Sequence, residues 1–134
     1  MGSVLLVEDN PLVADAVRRD LARSAFDVTV AASSGVARAL EQTFDVGVFD
    51  LVLGDESGID LAQELLSNAR IGRAVFFTGA SWQPLLRRAA QVGPLIEKAQ
   101  GTLALLAELL EPDGKLESRP RSAPPGPRGL ASDA

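Results

Sequence analysis

The sequence predicts an α/β domain in which a five-stranded parallel sheet is covered by helices on both faces. Between residues 3 and 111, five short apolar segments rich in β-branched residues alternate with segments of helical spacing. A strand, a crossover helix and a second strand form the repeating unit of parallel sheets, whose strands are buried on both faces. Polar residues also follow several of the predicted strands, and ligands in such sheets bind at the carboxyl ends of strands.

The predicted strands are SVLLV, FDVTVA, FDVGVF, AVFFT and PLIEK. Apolar residues recur at helical spacing between them. In the first helix the shared face is formed by Val13, Ala16, Val17 and Leu21. In the third helix the apolar residues are Ile59, Leu61, Ala62, Leu65 and Leu66. This alternation fixes the order of the elements along the chain.

Helix ends are predicted from capping residues and prolines. Ser34 is expected to cap the second helix and Thr102 the fifth, which ends before Pro112. The fourth helix is predicted over 81–91, and Pro84 fits there because proline is tolerated in the first turn.

Composition bounds the function. The chain has 134 residues, 46% of them hydrophobic, which suits one domain with a core. A net charge of −5 disfavours direct binding to nucleic acid. The absence of cysteine and histidine excludes disulfides, thiolate metal sites, Ser-His-Asp catalysis and a phosphohistidine on this chain. With no signal peptide and no apolar run long enough to span a membrane, we expect a cytoplasmic protein without membrane contact.

A change in composition at Pro112 divides the chain. Residues 1–111 are predicted to fold as one domain. Residues 112–134 are rich in Pro, Gly, Ser and Arg and are predicted to be disordered. This tail is either a solvated terminus or a weak tether or docking segment, and we expect no attached output domain.

Polar residues at four strand ends indicate a functional site. Glu8 and Asp9 fall at the carboxyl end of the first strand and Asp50 at that of the third, whereas Thr78 and Lys98 end the fourth and fifth strands. Because these ends share one edge of the sheet, the side chains are expected to meet. Three adjacent carboxylates raise one another's pKa unless a cation joins them. Oxygen ligands without His or Cys favour a hard cation, Mg²⁺ first.

Each of these residues also has an ordinary structural role. A single Asp at a strand end commonly forms a turn or caps a helix, a Thr packs in a strand, and a Lys is solvated. The prediction therefore depends on the whole set. The backbone carbonyl of Val52, just after Asp50, is the most plausible additional metal ligand.

The motifs VEDN, FDLVL, FFTGA and IEK, in this order and spacing, resemble the receiver domain of two-component response regulators over residues 3–111. The resemblance implies a flavodoxin-like fold with strand order 2-1-3-4-5. Because nothing of domain size follows residue 111 in this sequence, we expect a receiver of the stand-alone, single-domain type.

The resemblance further implies a role for each site residue. Asp50 would accept a phosphoryl group from a phosphohistidine. Glu8 and Asp9, with Asp50 and the Val52 carbonyl, would hold Mg²⁺. Lys98 would pair with the phosphoryl oxygens, and Thr78 would hydrogen-bond to them and change the surface around the fourth helix.

The implied partners are a histidine kinase or phosphotransfer protein, because this chain has no histidine, and an unknown downstream protein. The protein would be a monomer or a phosphorylation-dependent dimer. It would act as a signalling switch rather than as an enzyme, with slow autodephosphorylation only.

The sequence departs from the family at three positions. Ala99 replaces the proline after the lysine, Gly54 replaces the proline four residues after the phosphoacceptor, and Leu95 replaces the switching aromatic. Trp82 and Leu95 are candidate partner contacts. One alternative is a receiver-like interaction module that does not depend on phosphorylation. A phosphatase with an aspartate nucleophile is disfavoured because Val52 stands where its second acid would be.

Overall fold

A computed structural model describes residues 2–54 and 56–111. Its main sheet contains five parallel strands in the order β2-β1-β3-β4-β5. The strands are β1 (Ser3–Val7), β2 (Asp27–Ala31), β3 (Phe44–Phe49), β4 (Ile71–Thr78) and β5 (Leu95–Glu97). The predicted fold class and strand order are confirmed.

Four helices connect these strands, a fifth follows β5, and together they cover both faces of the sheet. They are α1 (Pro11–Arg23), α2 (Ser34–Ala39), α3 (Gly58–Ser67), α4 (Gln83–Ala90) and α5 (Thr102–Leu110). Helices α1 and α5 pack on one face, and α2, α3 and α4 on the other. Alternate residues of β1 serve the two cores, with Val4 and Leu6 facing α1 and α5, and Leu5 and Val7 facing the opposite side.

Two short elements near the strand ends were not predicted. Residues Val52–Leu53 and Glu56–Ser57 form a small antiparallel ribbon between β3 and α3. Residues Lys98–Gln100 form a single 3-10 turn. Lys98 was predicted to end the fifth strand, but it begins this turn immediately after β5.

The two predicted caps are wrong. The Ser33 hydroxyl, and not that of Ser34, accepts the Val36 amide at 3.1 Å and caps α2. Gly101 precedes α5 with φ of 85°, which glycine adopts without steric cost. Thr102 is the first residue of α5, and its hydroxyl donates to the Asp20 carboxylate at 2.5 Å.

The remaining differences concern element bounds and one helix face. Ala14 lies in the core of α1, whereas Ala16 is exposed, contrary to prediction. Strand β4 begins at Ile71, three residues before the predicted segment, and α4 is shorter than predicted at both ends. No helix among residues 2–54 and 56–111 is long and apolar enough to cross a membrane. The predicted disordered tail, 112–134, lies outside the described residues.

Candidate phosphoacceptor site

The sheet register brings the first and third strand ends together. Val7 of β1 lies beside Phe49 of β3, and Phe49 beside Phe76 of β4. The residue after each of the first two is acidic: Glu8 follows Val7 and Asp50 follows Phe49. The Asp50 amide donates to the Val7 carbonyl at 3.3 Å, so the hydrogen-bond ladder holds the two acids at the same level of the edge.

Glu8, Asp9 and Asp50 form one acidic cluster. Each offers a carboxylate oxygen, and these oxygens all lie within 4.8 Å of one another. The three differ in burial, since Glu8 is 3% exposed, Asp50 is half-buried and Asp9 is exposed. The cluster therefore opens to solvent on the Asp9 side, where a ligand can enter.

Lys98 joins two of the acids. Its Nζ lies 2.9 Å from Asp50 Oδ2 and 2.9 Å from Glu8 Oε1. Burial alone would lower the pKa of Lys98, but the hydrogen bonds and negative charges of Asp50 and Glu8 outweigh burial and raise it. The ammonium is thus charged at neutral pH and is the positive partner of Glu8 and Asp50 in the cluster.

Burial dominates the electrostatics of Glu8. It raises the pKa of this carboxyl above its usual value, against the lowering effects of the Lys98 and Asn10 hydrogen bonds. The Asn10 amide donates to Glu8 Oε2 at 3.1 Å. Glu8 is therefore a buried acid with only partial compensation, and an added cation would favour its ionised form.

Thr78 links Asp50 to the loop before α4. Its side chain is fully buried, and its hydroxyl donates to Asp50 Oδ1 at 3.0 Å. The Thr78 hydroxyl oxygen also accepts a hydrogen bond from the Ala80 amide at 3.0 Å. Because one hydroxyl holds both groups, Thr78 cannot turn away from Asp50 without affecting the loop that leads into α4.

The structure also assigns two roles that were not predicted. Asn10 caps α1, because its Oδ1 accepts the amides of Leu12 and Val13 at 3.0 and 3.3 Å. The capping residue is thus Asn10, which leaves Asp9 free to face the cluster. Gly58 packs against the carbonyl of Asp50, where a Cβ would lie only 1.7 Å from the oxygen. The only sequence signal for Gly58 is a glycine at a helix start.

The other predicted residues lie around this site. Gly54, with φ of 65°, lies at the end of the ribbon where the proline would stand. Leu95 is half-buried against the core of the α3 and α4 face. Trp82 precedes α4 and is 67% exposed. Ala99 is exposed and lines a cavity of about 180 Å³ that also contacts Thr78.

Val52 lies in the ribbon two residues beyond Asp50, with its side chain exposed. Its carbonyl stays a predicted metal ligand. The side chains of Glu8, Asp9, Asp50, Thr78 and Lys98, in contrast, are brought to one edge of the sheet. The arrangement offers a carboxylate nucleophile, a charged ammonium and a hydroxyl donor around one point.

The five-stranded parallel sheet, with its acidic cluster at the strand ends, has the architecture of a receiver domain, and the comparison with protein families agrees. The family model for the response regulator receiver domain matches residues 4–110. The chain belongs to this family, whose members act in two-component signal transduction.

The comparison with individual proteins gives a match to about half of this chain. A probable transcriptional regulatory protein, TcrX of Mycobacterium tuberculosis, is 39% identical over 67 residues, which are 48% of this chain and 29% of that protein. The chain thus matches under a third of the relative's length.

Two solved structures show the same fold. A CheY-like receiver domain protein from Methanospirillum hungatei has a TM-score of 0.72 at 21% identity, covering 81% of this chain and 90% of its own. A response regulator from Burkholderia pseudomallei has a TM-score of 0.71 at 25% identity, covering 80% of this chain and 65% of its own. The latter structure contains a phosphorylated aspartic acid and a calcium ion.

Proposed function

We propose that this receiver domain accepts a phosphoryl group on Asp50 from a phosphohistidine donor, in a reaction that depends on Mg²⁺. The observation that carries the proposal is the environment of the Asp50 carboxylate. One oxygen lies 2.9 Å from Lys98 Nζ, the other lies 3.0 Å from Thr78 Oγ1, and two further acids adjoin it. The phosphorylated aspartate in the Burkholderia pseudomallei relative supports the assignment.

The acidic cluster fits Mg²⁺ by its ligand type and charge. All three side-chain ligands are carboxylates, which suit a hard cation. With Lys98 charged, three ionised acids leave the cluster two negative charges in excess, which one divalent cation balances. Held by Glu8, Asp9 and Asp50, Mg²⁺ would neutralise charge on the phosphoryl oxygens during transfer.

In the transfer step, an Asp50 carboxylate oxygen attacks the phosphorus of the donor. An O–P bond forms, the P–N bond to the donor's imidazole breaks, and its electron pair returns to the ring nitrogen. Lys98 is already positioned at Asp50 and supplies positive charge to the incoming phosphoryl oxygens. Glu8 holds the other side of the same ammonium, which fixes its place at the site.

The signal would leave the site through Thr78. Once Asp50 carries a phosphoryl group, the Thr78 hydroxyl has a more highly charged acceptor and turns toward it. Ala80, which donates to that hydroxyl, would then move with the loop before α4. The exposed Trp82 follows this loop and is the proposed contact for a downstream protein.

The proposed phosphodonor is a cytoplasmic histidine kinase or phosphotransfer protein, because the chain has no histidine of its own. We expect the protein to act as a switch and to release phosphate slowly. Val52 and Ala80, beside Asp50 and Thr78, carry no polar side chain to orient a hydrolytic water.

A phosphorylation-independent interaction module is not favoured, since it would not need the assembled acidic cluster. A monomer or a phosphorylation-dependent dimer stays the prediction for oligomeric state.

The test is the intact mass of the protein after incubation with acetyl phosphate, with and without Mg²⁺. We expect one added phosphoryl group that requires Mg²⁺ and is absent in Asp50→Ala. Asp27→Ala, which removes an exposed carboxylate at the start of β2, is the matched control and should be modified like the wild type. A phosphoryl group retained by Asp50→Ala would refute the assignment of the phosphoacceptor.

A further inference from the structure

A groove lies at the edge of the sheet opposite Asp50. It has a volume of about 680 Å³ and is formed by the starts of β1, β3 and β4 together with the last turn of α5. Ligand sites of drug-sized molecules have volumes of roughly 300 to 1,000 Å³. The groove therefore has room for several side chains of a peptide.

The lining of the groove combines apolar and acidic groups. Exposed apolar surface comes mainly from Leu110, which is 50% exposed, whereas the lining residues Phe44 and Ile71 are buried in the core behind it. Two carboxylates, Asp45 and Glu111, also line it. The guanidinium of Arg73 is already held by the Glu108 carboxylate at 3.6 Å and by two carbonyls at the end of α5. A segment with one apolar residue and several basic residues would match this surface.

The last described residue of the chain, Glu111, lies at the groove. Glu111 both lines the groove and ends α5 in an extended conformation, with φ of −67° and ψ of 138°. Pro112 follows and cannot continue the helix. Residues 112–134 are thus tethered at the rim, which gives them an effective concentration on the order of millimolar at the groove.

The part of the tail nearest the groove has the matching chemistry. Residues 115–121 read KLESRPR, with three basic residues, one acidic residue and a leucine. Leu116 lies five residues beyond Glu111, a span of up to about 17 Å for an extended chain. Besides Leu116, only Leu130 in the tail has a large apolar side chain.

We propose that residues 115–121 dock in this groove of their own domain, with Leu116 against the apolar lining and the basic side chains near Asp45 and Glu111. The docked segment would hold the start of the tail at the end of the molecule opposite Asp50. The inference does not depend on phosphorylation of Asp50.

Limited trypsin cleavage of the full chain tests the proposal, because the tail contains its own control. Arg121 and Arg128 each follow a proline, so their local sequences are similar. Only Arg121 belongs to the docking segment. The cleavage rate after each arginine, followed by mass spectrometry, is divided by the rate at the same bond in a synthetic 112–134 peptide.

We expect cleavage after Arg121 to be slowed about tenfold relative to the peptide, as for a millimolar tether and a dissociation constant of about 0.1 mM. Cleavage after Arg128 should be unaffected. The Leu116→Asp substitution should remove the protection from cleavage after Arg121, and the matched Leu130→Asp substitution should leave that protection unchanged. Asp45→Asn should weaken the protection of Arg121 because it removes one carboxylate from the groove. Added salt should also weaken this protection, because exposed charge pairs are screened.

Equal relative rates at the two arginines in the wild type would overturn the proposal. So would equal loss of protection in Leu116→Asp and Leu130→Asp. Protection that rises with protein concentration would mean that the groove binds the tail of a second copy, which would also overturn docking within one chain.

Discussion

Substitution of Gly58 by alanine tests how the start of α3 positions Asp50. An alanine Cβ here would lie 1.7 Å from the Asp50 carbonyl oxygen, and real Cβ contacts essentially never fall below 3.0 Å. The helix or Asp50 would have to move by roughly 1.3 Å, the difference between these two distances. Since the clash is with backbone, no side-chain rotation can relieve it.

The expected cost lies at the upper end of the overpacking range, about 2 to 3 kcal/mol. For a domain of this size, that lowers the melting temperature by about 8 to 12 °C. Because a misplacement of about 1 Å can slow a reaction by about 10²-fold, we also expect Gly58→Ala to react with acetyl phosphate about a hundredfold more slowly.

Two controls separate these effects. At Gly35 in α2 a Cβ would meet only Ser33 Oγ at 3.9 Å, so Gly35→Ala should be neutral or stabilising by up to about 1 kcal/mol. Leu105→Ala removes a buried side chain on the α1 and α5 face and should cost about 2 to 5 kcal/mol without moving Asp50.

Thermal unfolding by circular dichroism gives the stability of each variant, and intact mass gives the rate of phosphorylation below the melting transition. Gly58→Ala should lose both stability and rate, whereas Leu105→Ala should lose stability alone. If Gly58→Ala were as stable as Gly35→Ala, or if it reacted at the wild-type rate, the argument from close packing would be refuted.

Three further predictions concern the side chains around Asp50. Thr78→Val should lower the free energy of unfolding by about 1 to 3 kcal/mol in urea titrations, because the Ala80 amide loses its acceptor, and Thr78→Ser should recover most of it. Without Mg²⁺, Glu8→Gln should raise the melting temperature at pH 7. Burial raises the pKa of Glu8 in the folded protein, so ionisation disfavours folding, and the difference should vanish as the pH falls below 4.5. A constant difference from pH 4 to pH 7 would contradict this. Lys98→Met leaves two carboxylates without their cation and should lower the melting temperature at pH 7 more than at pH 4, whereas equal losses would contradict the ion pairs as the cause.

The alternation of strands and helices could be predicted because burial imposes a period on the sequence. β3 begins and ends as predicted, and the apolar residues of α3 lie on its core side. The ends of helices were less predictable, because an N-cap depends on the direction in which one side-chain oxygen points. Ser33 and Ser34 are adjacent and chemically identical, yet only Ser33 has the extended backbone that turns its hydroxyl to the Val36 amide.

The meeting of the site residues follows from topology, since parallel strands end at one edge. The hydrogen bonds within the site could not be predicted from the sequence. The order of residues in the sequence does not indicate that Lys98 contacts both Glu8 and Asp50. It also does not indicate that the Thr78 hydroxyl bonds to both Asp50 and the Ala80 amide. The role of Gly58 was missed because its requirement is for space against a distant backbone atom, and no positive φ marks it.

The three departures from the family pattern leave the side chains around Asp50 assembled and alter what surrounds them. Leu95 and Ala99 have apolar side chains and Gly54 has none, so no side chain at these positions supplies a hydrogen bond to Asp50. Two described hydrogen bonds connect Asp50 through the Thr78 hydroxyl to the Ala80 amide, in the loop before α4. The exposed indole of Trp82 lies at the start of α4, whereas β5 carries Leu95 in place of the aromatic that the family resemblance implies. The proposed output therefore depends on movement of the loop before α4 and less on repacking of β5.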